Sequence, residues 1–485
     1  MNELIGLTPK NLWINFQNIC NIPHPSKKEE KIIEFVKKFG EDLGLETIVD
    51  GIGNVIIKKP ATSGMENRKG IILQGHIDMV PQANSDVNHN FETDPIQAYI
   101  DGDWVTAKGT TLGADNGIGA AAAMAILQST DIEHGPVEGL FTIDEETGMT
   151  GAFGLKPGLL DGDILLNMDS EDEGELYIGC AGGIDANVTF NYKEESVPEG
   201  MTAFKIAVTG LKGGHSGLDI PIGRGNSNKL LIRFFKHSVK EHGLRISDIQ
   251  GGSLRNAIPR ESFATVLISN DKIQDFKTSI SKYEEIYKKE LGNVEPGLSF
   301  TIEQTEMPTM VIDVNTQNKI INSVYGCPNG VIRMSDTMEG VVETSTNLAI
   351  IKSENGKITI NCLLRSSVDS AKEDLAQMIT SVFELAGAEV ELSGEYPGWK
   401  PNADSAILKA MQEVYNNKYG KIPEIKVIHA GLECGILGAN YPHWDMISFG
   451  PTIRFPHSPD EKVNIATVQK FWDFLVETLK NAPGK

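Results

Sequence analysis

The sequence contains few cysteines, and they do not form the patterns of disulfide frameworks or cysteine metal sites. Its five cysteines are odd in number and widely spaced, and no C-x-x-C motif occurs. This spacing argues against a disulfide framework and against a cysteine zinc site. Runs of about 18 apolar residues are absent, and so is a basic amino-terminal stretch followed by an apolar run. We therefore expect a cytoplasmic protein with no membrane partner.

Basic residues are also fewer than acidic residues. The chain carries 44 lysines and arginines against 66 aspartates and glutamates, a net charge of -22. A surface of this sign repels phosphate groups, so a nucleic-acid partner or an anionic membrane partner is not expected. Apolar residues make up 40% of the 485 residues, which is enough to fill two domain cores.

The order of strand and helix patterns predicts an α/β fold that is interrupted by an insertion. Apolar strand-like runs alternate with helical patterns at both ends of the chain, whereas the middle has the pattern of an α+β domain with a mainly antiparallel sheet. We predict a discontinuous first domain of residues 1–184 and 395–485, and an inserted domain of residues 185–394. Ser26 and Glu29 have the spacing of a capping box ahead of the first amphipathic helix.

Acidic and imidazole side chains stand where predicted strands end. His76, the pair Glu145 and Glu146, and Asp169 each follow an apolar run. Asp115 stands immediately before an alanine-rich helical segment, where the helix dipole keeps a carboxylate ionised. Because ligands bind at the carboxyl ends of strands in open α/β sheets, we expect these residues to converge in one cleft.

Two more residues complete this constellation. Strand alternation puts Asp78 on the same face as His76, where a metal ligand and its hydrogen-bond partner would sit. His457 lies in a loop of the returning α/β segment. Two imidazoles and three carboxylates form a set suited to two divalent metals of the zinc class. Asp115, central in the sequence and held at a helix start, is the natural bridging carboxylate.

The pair of adjacent glutamates adds a base to this set. With Glu146 as a ligand, Glu145 is free to move protons. Two metals can hold a hydroxide between them and polarise a carbonyl, while a glutamate passes the proton to a leaving amine. The predicted reaction is therefore amide hydrolysis.

Residues 117–122 offer an alternative interpretation. They satisfy the pattern G-x-G-x-x-A of dinucleotide-binding turns, which would make the chain an NAD-dependent dehydrogenase. However, no buried strand directly precedes the motif, and Asp115 would repel a pyrophosphate. Small residues that allow close helix-to-sheet packing explain the pattern more simply, so the dehydrogenase is a distant alternative.

Eight strings occur along the chain in a characteristic order: GHIDMVP (75 to 81), LGADNGIG (112 to 119), TIDEETGMTGA (142 to 152), NMDSED (167 to 172), GLKGGHSG (210 to 217), SLRNAIPRE (253 to 261), HAGLECG (429 to 435) and FPHSPDEKVNI (455 to 465). Together they resemble the dinuclear zinc metallopeptidases of the M20 type, and within that family a subgroup of bacterial dipeptidases. The resemblance runs from one end of the chain to the other.

The resemblance implies a ligand set and a cofactor. It implies that His76, Asp115 and Asp169 hold one zinc ion, and that Asp115, Glu146 and His457 hold the other. Cobalt or manganese could take the place of zinc. It also implies that the peptide bond between Asp115 and Asn116 is cis.

Further roles follow from the same resemblance. Asp78 would orient and tune His76, and Glu145 would be the general base and acid. His215 resembles the histidine of the family's lid domain that stabilises the oxyanion, and Asn256 stands where related enzymes contact substrate. Arg365, at the end of a predicted strand, could pair bidentately with the substrate's C-terminal carboxylate.

The activity implied is the metal-dependent hydrolysis of unblocked dipeptides, including Xaa-His dipeptides. The inserted domain resembles the family's lid, which covers the cleft and commonly carries a homodimer contact. An N-acyl-amino-acid deacylase of the same family is the main alternative.

Overall fold

The apolar runs that precede the candidate ligands form strands of one sheet. In the computed structural model, which describes residues 3–485, the strands Ile71–His76, Val137–Thr142 and Ile164–Asn167 are buried along their whole length. Strands that are covered on both faces need apolar side chains on both, so their sequences read as nearly continuous apolar runs.

The helices of the described residues vary widely in length. In chain order they are α1 Lys10–Cys20, α2 Glu30–Asp42, α3 Ala114–Gln128, α4 Glu145–Gly148, α5 Thr150–Gly154, α6 Ser227–His242, α7 Ile273–Leu291, α8 Val314–Gly326, α9 Asp369–Leu385, α10 Ala406–Tyr419, α11 Glu433–Asn440 and α12 Ile465–Lys480. Across residues 3–485, every helix is too short or too polar to cross a membrane.

The strands are mostly short. In chain order they are β1 Glu46–Val49, β2 Val55–Lys59, β3 Ile71–His76, β4 Ala98–Asp101, β5 Trp104–Ala107, β6 Val137–Thr142, β7 Ile164–Asn167, β8 Glu175–Cys180, β9 Gly182–Asn191, β10 Glu194–Ser196, β11 Met201–Thr209, β12 Gly214–His215, β13 Arg245–Gly251, β14 Ala257–Ile258, β15 Ser262–Ser269, β16 Ser299–Gln304, β17 Met310–Ile312, β18 Gly330–Met334, β19 Val342–Glu354, β20 Lys357–Ser366, β21 Glu389–Tyr396, β22 Glu424–Ile428, β23 Asp445–Ser448, β24 Ile453–Arg454 and β25 Lys462–Asn464.

The first of two compact units extends up to Cys180 and also includes Trp399–Val427 and Leu432–Lys485. Its eight-stranded sheet has the order β1-β2-β6-β3-β7-β23-β8-β22. At its centre β6, β3, β7 and β23 are parallel neighbours. Their carboxyl ends therefore meet at one edge, which is where an open α/β sheet binds its ligands. The alanine-rich α3 is almost completely buried against this sheet.

The second unit comprises Ala181–Gly398 and Ile428–Gly431. Its main sheet is antiparallel, in the order β16-β11-β15-β13-β19-β20-β9-β21, with β18 paired to β19. Apolar side chains of α6, α7, α8 and α9 pack with it into one core that includes Phe234, Phe276 and Phe383. The predicted fold class, an α/β domain interrupted by an α+β insertion, is confirmed.

The unit boundaries lie near the predicted domain boundaries but differ in detail. The chain changes unit after residues 180 and 398, where the sequence predicted residues 184 and 394. A short return to the second unit at Ile428–Gly431 was not predicted. In this segment the carbonyl oxygens of Ile428 and Ala430 accept the backbone N–H of Ala181, at 3.0 and 3.1 Å.

The predicted capping box at the start of α2 is wrong. No side chain caps this helix, whose N-cap residue is Glu29. Ser26 Oγ instead donates to Asp78 Oδ2 at 2.8 Å. Glu29 Oε1 accepts the backbone N–H groups of Lys27 and Asp144, at 2.8 and 3.1 Å. Ser26 thus binds Asp78 and Glu29 binds the backbone of Asp144, and these contacts replace the local cap.

Candidate metal centre

The strand ends bring three predicted ligands together. His76 is the last residue of β3, Asp169 follows β7 by two residues, and Asp115 lies at the start of α3. His76 Nε2 lies 3.2 Å from Asp115 Oδ1 and 3.3 Å from Asp169 Oδ1. One ligand atom from each residue therefore lies within 4.8 Å of the other two, a spacing that could hold one metal ion.

Asp115 also faces a second group of predicted ligands. Its other oxygen, Oδ2, lies 3.3 Å from His457 Nε2, which is 2.9 Å from Glu146 Oε2. Because its two oxygens point at different histidines, Asp115 has the geometry of a bridging ligand. The peptide bond from Asp115 to Asn116 is cis, as predicted. Asp115 and Asn116 both have non-helical dihedral angles, so Asp115 lies just ahead of the regular part of α3, as the sequence predicted.

Two buried oxygens of these ligands fit a bound cation. Glu146 Oε1 and Asp169 Oδ1 are buried and accept no hydrogen bond, although His76 Nε2 lies 3.3 Å from the latter. A buried acceptor without a partner is costly, and a cation would supply that partner. Imidazole nitrogens and carboxylate oxygens are the donors that zinc, cobalt and manganese accept in proteins. The residues present therefore fit the metal ions that the resemblance implies.

Asp78 connects His76 to the adjacent glutamates. Its Oδ1 lies 3.3 Å from His76 Nδ1 and accepts the backbone N–H of Glu145 at 3.0 Å. Its Oδ2 accepts the backbone N–H of Glu146 at 3.3 Å and the hydroxyl of Ser26 at 2.8 Å. Burial works to raise the pKa of Asp78, but the bond to His76, its charge and the other hydrogen bonds lower that pKa. His76 Nδ1 also lies 3.1 Å from the backbone carbonyl oxygen of Asp78. The carbonyl and the ionised carboxylate of Asp78 therefore both hold the His76 ring, and the carboxylate also binds the start of α4.

The charges of the site attract a cation. Burial raises the pKa of Asp169 to about 7. The negative charges of Asp115 and Glu146 also raise this pKa, whereas His76 lowers it. Hydrogen bonds to Asp115 and Glu146 raise the pKa of His457 to about 11. A histidine that holds its proton this strongly, among carboxylates that repel one another, marks a position where a divalent cation would neutralise the excess negative charge.

Glu145 lies beside the predicted ligands and is half-buried. Burial is the largest cause that raises its pKa well above the usual value; His76 opposes this, and Asp169, Glu433 and Glu146 contribute to it. A carboxyl group whose pKa is raised can both accept and return a proton near neutral pH. One Glu145 oxygen also lies within 4.8 Å of ligand atoms of His76 and Glu146, so the group has the position of a neighbouring base and also of a further ligand.

In the second unit, the surroundings of His215 fix its tautomer. The ring nitrogen Nδ1 accepts the backbone N–H groups of Gly217 and Leu218, at 3.2 and 3.0 Å. Burial lowers the pKa of His215, and the charge of Arg365 lowers it further. The neutral ring therefore carries its proton on Nε2, which is available as a hydrogen-bond donor.

Arg365 and Asn256 lie near this histidine in the fold. Arg365, only 5% exposed, donates from Nη1 to Tyr396 Oη at 3.1 Å and from Nε to Ser216 Oγ at 3.4 Å. In the described part of the chain it has no carboxylate partner within ion-pair distance. Asn256 is exposed, and its carbonyl oxygen accepts the backbone N–H of Ser216 at 2.8 Å. The second unit thus groups His215, the predicted donor to the oxyanion, with Asn256 and Arg365, the two predicted substrate contacts.

A profile of the peptidase family M20/M25/M40 matches residues 72–481 of the chain. The chain belongs to this family. It is therefore a peptidase, as its family resemblance predicted, and the members of this family are metal-dependent enzymes.

Two relatives align with the whole peptidase. It is 48% identical over 485 residues to the cytosol non-specific dipeptidase of Escherichia coli (strain K12), with 100% of each chain covered. The crystal structure of the aminoacylhistidine dipeptidase from Vibrio alginolyticus matches with 53% identity and a TM-score of 0.96, covering 100% of this chain and 99% of that one. A tripeptidase from Staphylococcus aureus, at 17% identity and a TM-score of 0.56 over 98% of both chains, shares the fold alone.

Two buried glutamates near the predicted ligands of this peptidase were not predicted from its sequence. Glu433 Oε2 accepts hydrogen bonds from Gln74 Nε2 at 2.6 Å and from Thr142 Oγ1 at 2.8 Å, and burial raises the pKa of Glu433 to about 7. Glu461 binds the backbone around Asp115. Both glutamates lie within strings that carried the family resemblance, HAGLECG and FPHSPDEKVNI. Their place in these strings was the only sign of a role in the sequence, because neither carboxylate has a hydrogen-bond partner nearby in the sequence.

Proposed function

We propose that this peptidase hydrolyses the peptide bond of unblocked dipeptides, Xaa-His dipeptides among them, with the help of two divalent metal ions. The observation that carries the proposal is the shared position of Asp115, whose Oδ1 faces His76 and whose Oδ2 faces His457. The full-length similarity to a cytosol non-specific dipeptidase and to an aminoacylhistidine dipeptidase supports the substrate class. The same similarity disfavours a deacylase, and family membership disfavours a dehydrogenase.

The ligand assignment follows the two groups of side chains. His76, Asp115 and Asp169 would hold one ion, and Asp115, Glu146 and His457 the other. Two histidine nitrogens with three carboxylates favour zinc, and cobalt and manganese accept the same donors.

The chain's own residues would share the work of proton transfer and positioning. The chemistry that divalent cations supply when bound here is the activation of water and the polarisation of the scissile carbonyl. Glu145 accepts a proton from the attacking water and returns it to the nitrogen of the leaving amine. Asp78 holds His76 in one orientation. His215 donates from Nε2 to the oxygen that becomes negative in the transition state.

Arg365 is the proposed partner of the substrate's C-terminal carboxylate. A buried guanidinium that has only neutral hydroxyl partners retains donors for an anion. Asn256, whose backbone binds the residue after His215, would contact the substrate beside it.

Replacing Arg365 with lysine should lower kcat/KM for free dipeptides by about tenfold or more, because the positive charge remains while the two-pronged contact to a carboxylate is lost. The C-terminal amides of the same dipeptides, which lack the carboxylate, should be cleaved equally by both proteins. Steady-state kinetics on such substrate pairs checks this.

A matched control for this substitution is Arg233→Lys. Arg233 forms a bidentate pair with Glu290 in the same unit, at 2.6 and 2.9 Å, so its replacement also loses a forked contact. We expect no change in the ratio of acid to amide cleavage. An Arg365→Lys protein that lost activity equally on acids and amides would contradict carboxylate recognition.

We also propose that the first unit is catalytic, and that the second unit is the lid and the contact of a cytoplasmic homodimer. The family resemblance supports this assignment, and the Escherichia coli relative is described as a cytosol enzyme. Sedimentation velocity of the full-length protein tests the dimer directly, and a monomer at micromolar concentration would contradict it.

The decisive test of the function combines metal analysis with a dipeptide panel. We expect close to two zinc, cobalt or manganese ions per chain, and hydrolysis that stops with chelator and returns when metal is added back. Activity that resisted the chelator would contradict the metal centre. Cleavage of N-acyl amino acids with none of dipeptides would favour the deacylase, and NAD binding would favour the dehydrogenase.

A further inference from the structure

The carboxylate of Glu461 occupies an unusual position in the first unit. It is buried, with 2% of its surface exposed. Its Oε2 accepts the backbone N–H groups of Leu112 and Gly113 at 2.8 and 3.0 Å, and its Oε1 accepts those of Ala114 and Asp115 at 2.7 and 3.2 Å. One side chain therefore binds four consecutive backbone amides.

These amides need an external acceptor. The first N–H groups of a helix have no partner within it. Here the helical path is also interrupted, because Asp115 has ψ 106° and the next residue is non-helical as well. The two carboxylate oxygens of Glu461 can each accept two hydrogen bonds, which matches the four amides. Glu461 thus fixes the backbone from residue 112 to residue 115, and with it the direction in which the Asp115 side chain leaves the chain.

The same hairpin carries a proposed metal ligand. His457 and Glu461 both lie between β24 and β25, which pair with each other. The hairpin is held by a bond from Glu461 N to the Ser458 carbonyl at 2.9 Å and by one from Thr106 Oγ1 to the Glu461 carbonyl at 2.7 Å. His457 contacts the side chain of Asp115, while Glu461 binds the backbone N–H of Asp115.

We propose that Glu461 is a positioning residue that sets Asp115 and His457 at a fixed separation, and that it thereby maintains the ligand group of the second metal ion. The inference rests on the proposed function, which makes both residues ligands. In this role Glu461 is not itself a ligand, and it acts through the backbone of Asp115 and the hairpin that carries His457.

The substitution Glu461→Gln tests this in the full-length protein after its metal has been removed. An amide replaces one oxygen by an NH₂ group, so two of the four backbone N–H groups lose their acceptor. We expect the affinity for the second Co²⁺ ion to fall about 10- to 100-fold, the range seen when groups that orient ligands are removed. Calorimetric titration measures that affinity, and the absorption spectrum of bound cobalt should report altered coordination.

Glu138→Gln is the matched control. Glu138 is also buried and binds the backbone N–H groups of Asp161 and Gly162 in the same unit. Glu138 lies on β6, four residues before Thr142, and Thr142 is paired with His76. Glu138 is therefore roughly 13 Å from the site along the strand. We expect Glu138→Gln to lower the melting temperature of the metal-free protein about as much as Glu461→Gln does, but to leave cobalt affinity and spectrum unchanged.

Several outcomes would overturn the inference. Wild-type cobalt affinity and spectrum in Glu461→Gln would do so, and so would equal losses of affinity in both variants. If Glu461→Gln does not fold, Glu461→Asp provides a second test, because it keeps the carboxylate but has a shorter side chain. We expect Glu461→Asp to have a lower affinity for the second cobalt ion and to bind the first one normally. Wild-type protein that bound fewer than two metal ions would overturn the proposed function itself, which separates the two failures.

Discussion

Glu145→Gln protein should retain both metal ions and lose activity by about 10²- to 10⁴-fold, the contribution of a general base. Glutamine keeps the size of the side chain but cannot take up the proton of the attacking water. Burial and the surrounding carboxylates raise the pKa of Glu145 well above its usual value. A raised pKa suits a group that must take up a proton in one step and return it in the next. Single-turnover kinetics, with metal analysis of the same preparation, measures both quantities.

Glu146→Gln is the matched comparison, because it makes the same substitution one residue along. Glu146 Oε2 lies 2.9 Å from His457 Nε2, and its other oxygen is buried without a partner. We expect this variant to lose the ion that Asp115 and His457 would share with it, and to lose activity through that loss. Because Glu145 also lies within 4.8 Å of ligand atoms of His76 and Glu146, equal metal loss in both variants would make Glu145 a ligand and not a base.

The architecture of the first unit was predictable because several of its predicted ligands follow buried strands. Long apolar runs identify strands that are covered on both faces, and parallel strands present their carboxyl ends at one edge. The grouping of His76 and Asp169 therefore followed from local sequence. The non-helical dihedral angles of Asp115 and Asn116 at the start of α3, by contrast, depend on contacts that this segment does not reveal.

Contacts between distant segments explain what the sequence could not show. Ser26 and Glu29 have the spacing of a helix cap, yet Asp78 and the backbone of Asp144 bind them instead. Glu461 lies more than 340 residues from the amides that it binds. A pattern within one segment reports local preference only, so a side chain whose partners lie elsewhere in the fold takes a role that local spacing does not reveal.

Arg365 shows the same limit in the second unit. Its position near the end of a predicted strand was equally compatible with an ordinary surface arginine. The structure buries it between Ser216 and Tyr396, neither of which carries a charge. Burying a cation without a nearby anion is unfavourable. The alternation of residues along a strand does not predict that the Arg365 side chain is buried in this way.

His215→Ala should lower kcat and kcat/KM together by about 10²-fold or more, as expected for the loss of one donor to the developing oxyanion, with metal content unchanged. The physical basis is the tautomer that the structure fixes: two backbone N–H groups bind Nδ1, so Nε2 carries the proton. Steady-state kinetics with metal analysis checks the prediction. Loss of metal would make His215 a ligand, and near-normal turnover would make it structural.

The alanine variant also removes the acceptor of the amides of Gly217 and Leu218, so a local structural effect must be separated from loss of the donor. His215→Asn serves this purpose, because its side-chain oxygen can replace Nδ1 as acceptor while no group replaces the Nε2–H. We expect His215→Asn to be as impaired as His215→Ala. His237→Ala, which removes a half-buried histidine that contacts Tyr283 in the same unit, should leave turnover unchanged.

Mixing two inactive proteins determines which chain supplies the histidine in the proposed homodimer. His215→Ala protein retains Glu145, and Glu145→Gln protein retains His215. If the histidine acts on the partner's site, a mixed dimer contains one site with both groups, and activity should return as subunits exchange. If each chain uses its own histidine, both sites of the mixed dimer lack one group, and activity stays low even when labelled subunits demonstrate exchange. Because each single variant is expected to lose about 10²-fold or more, even partial recovery would stand well above the background.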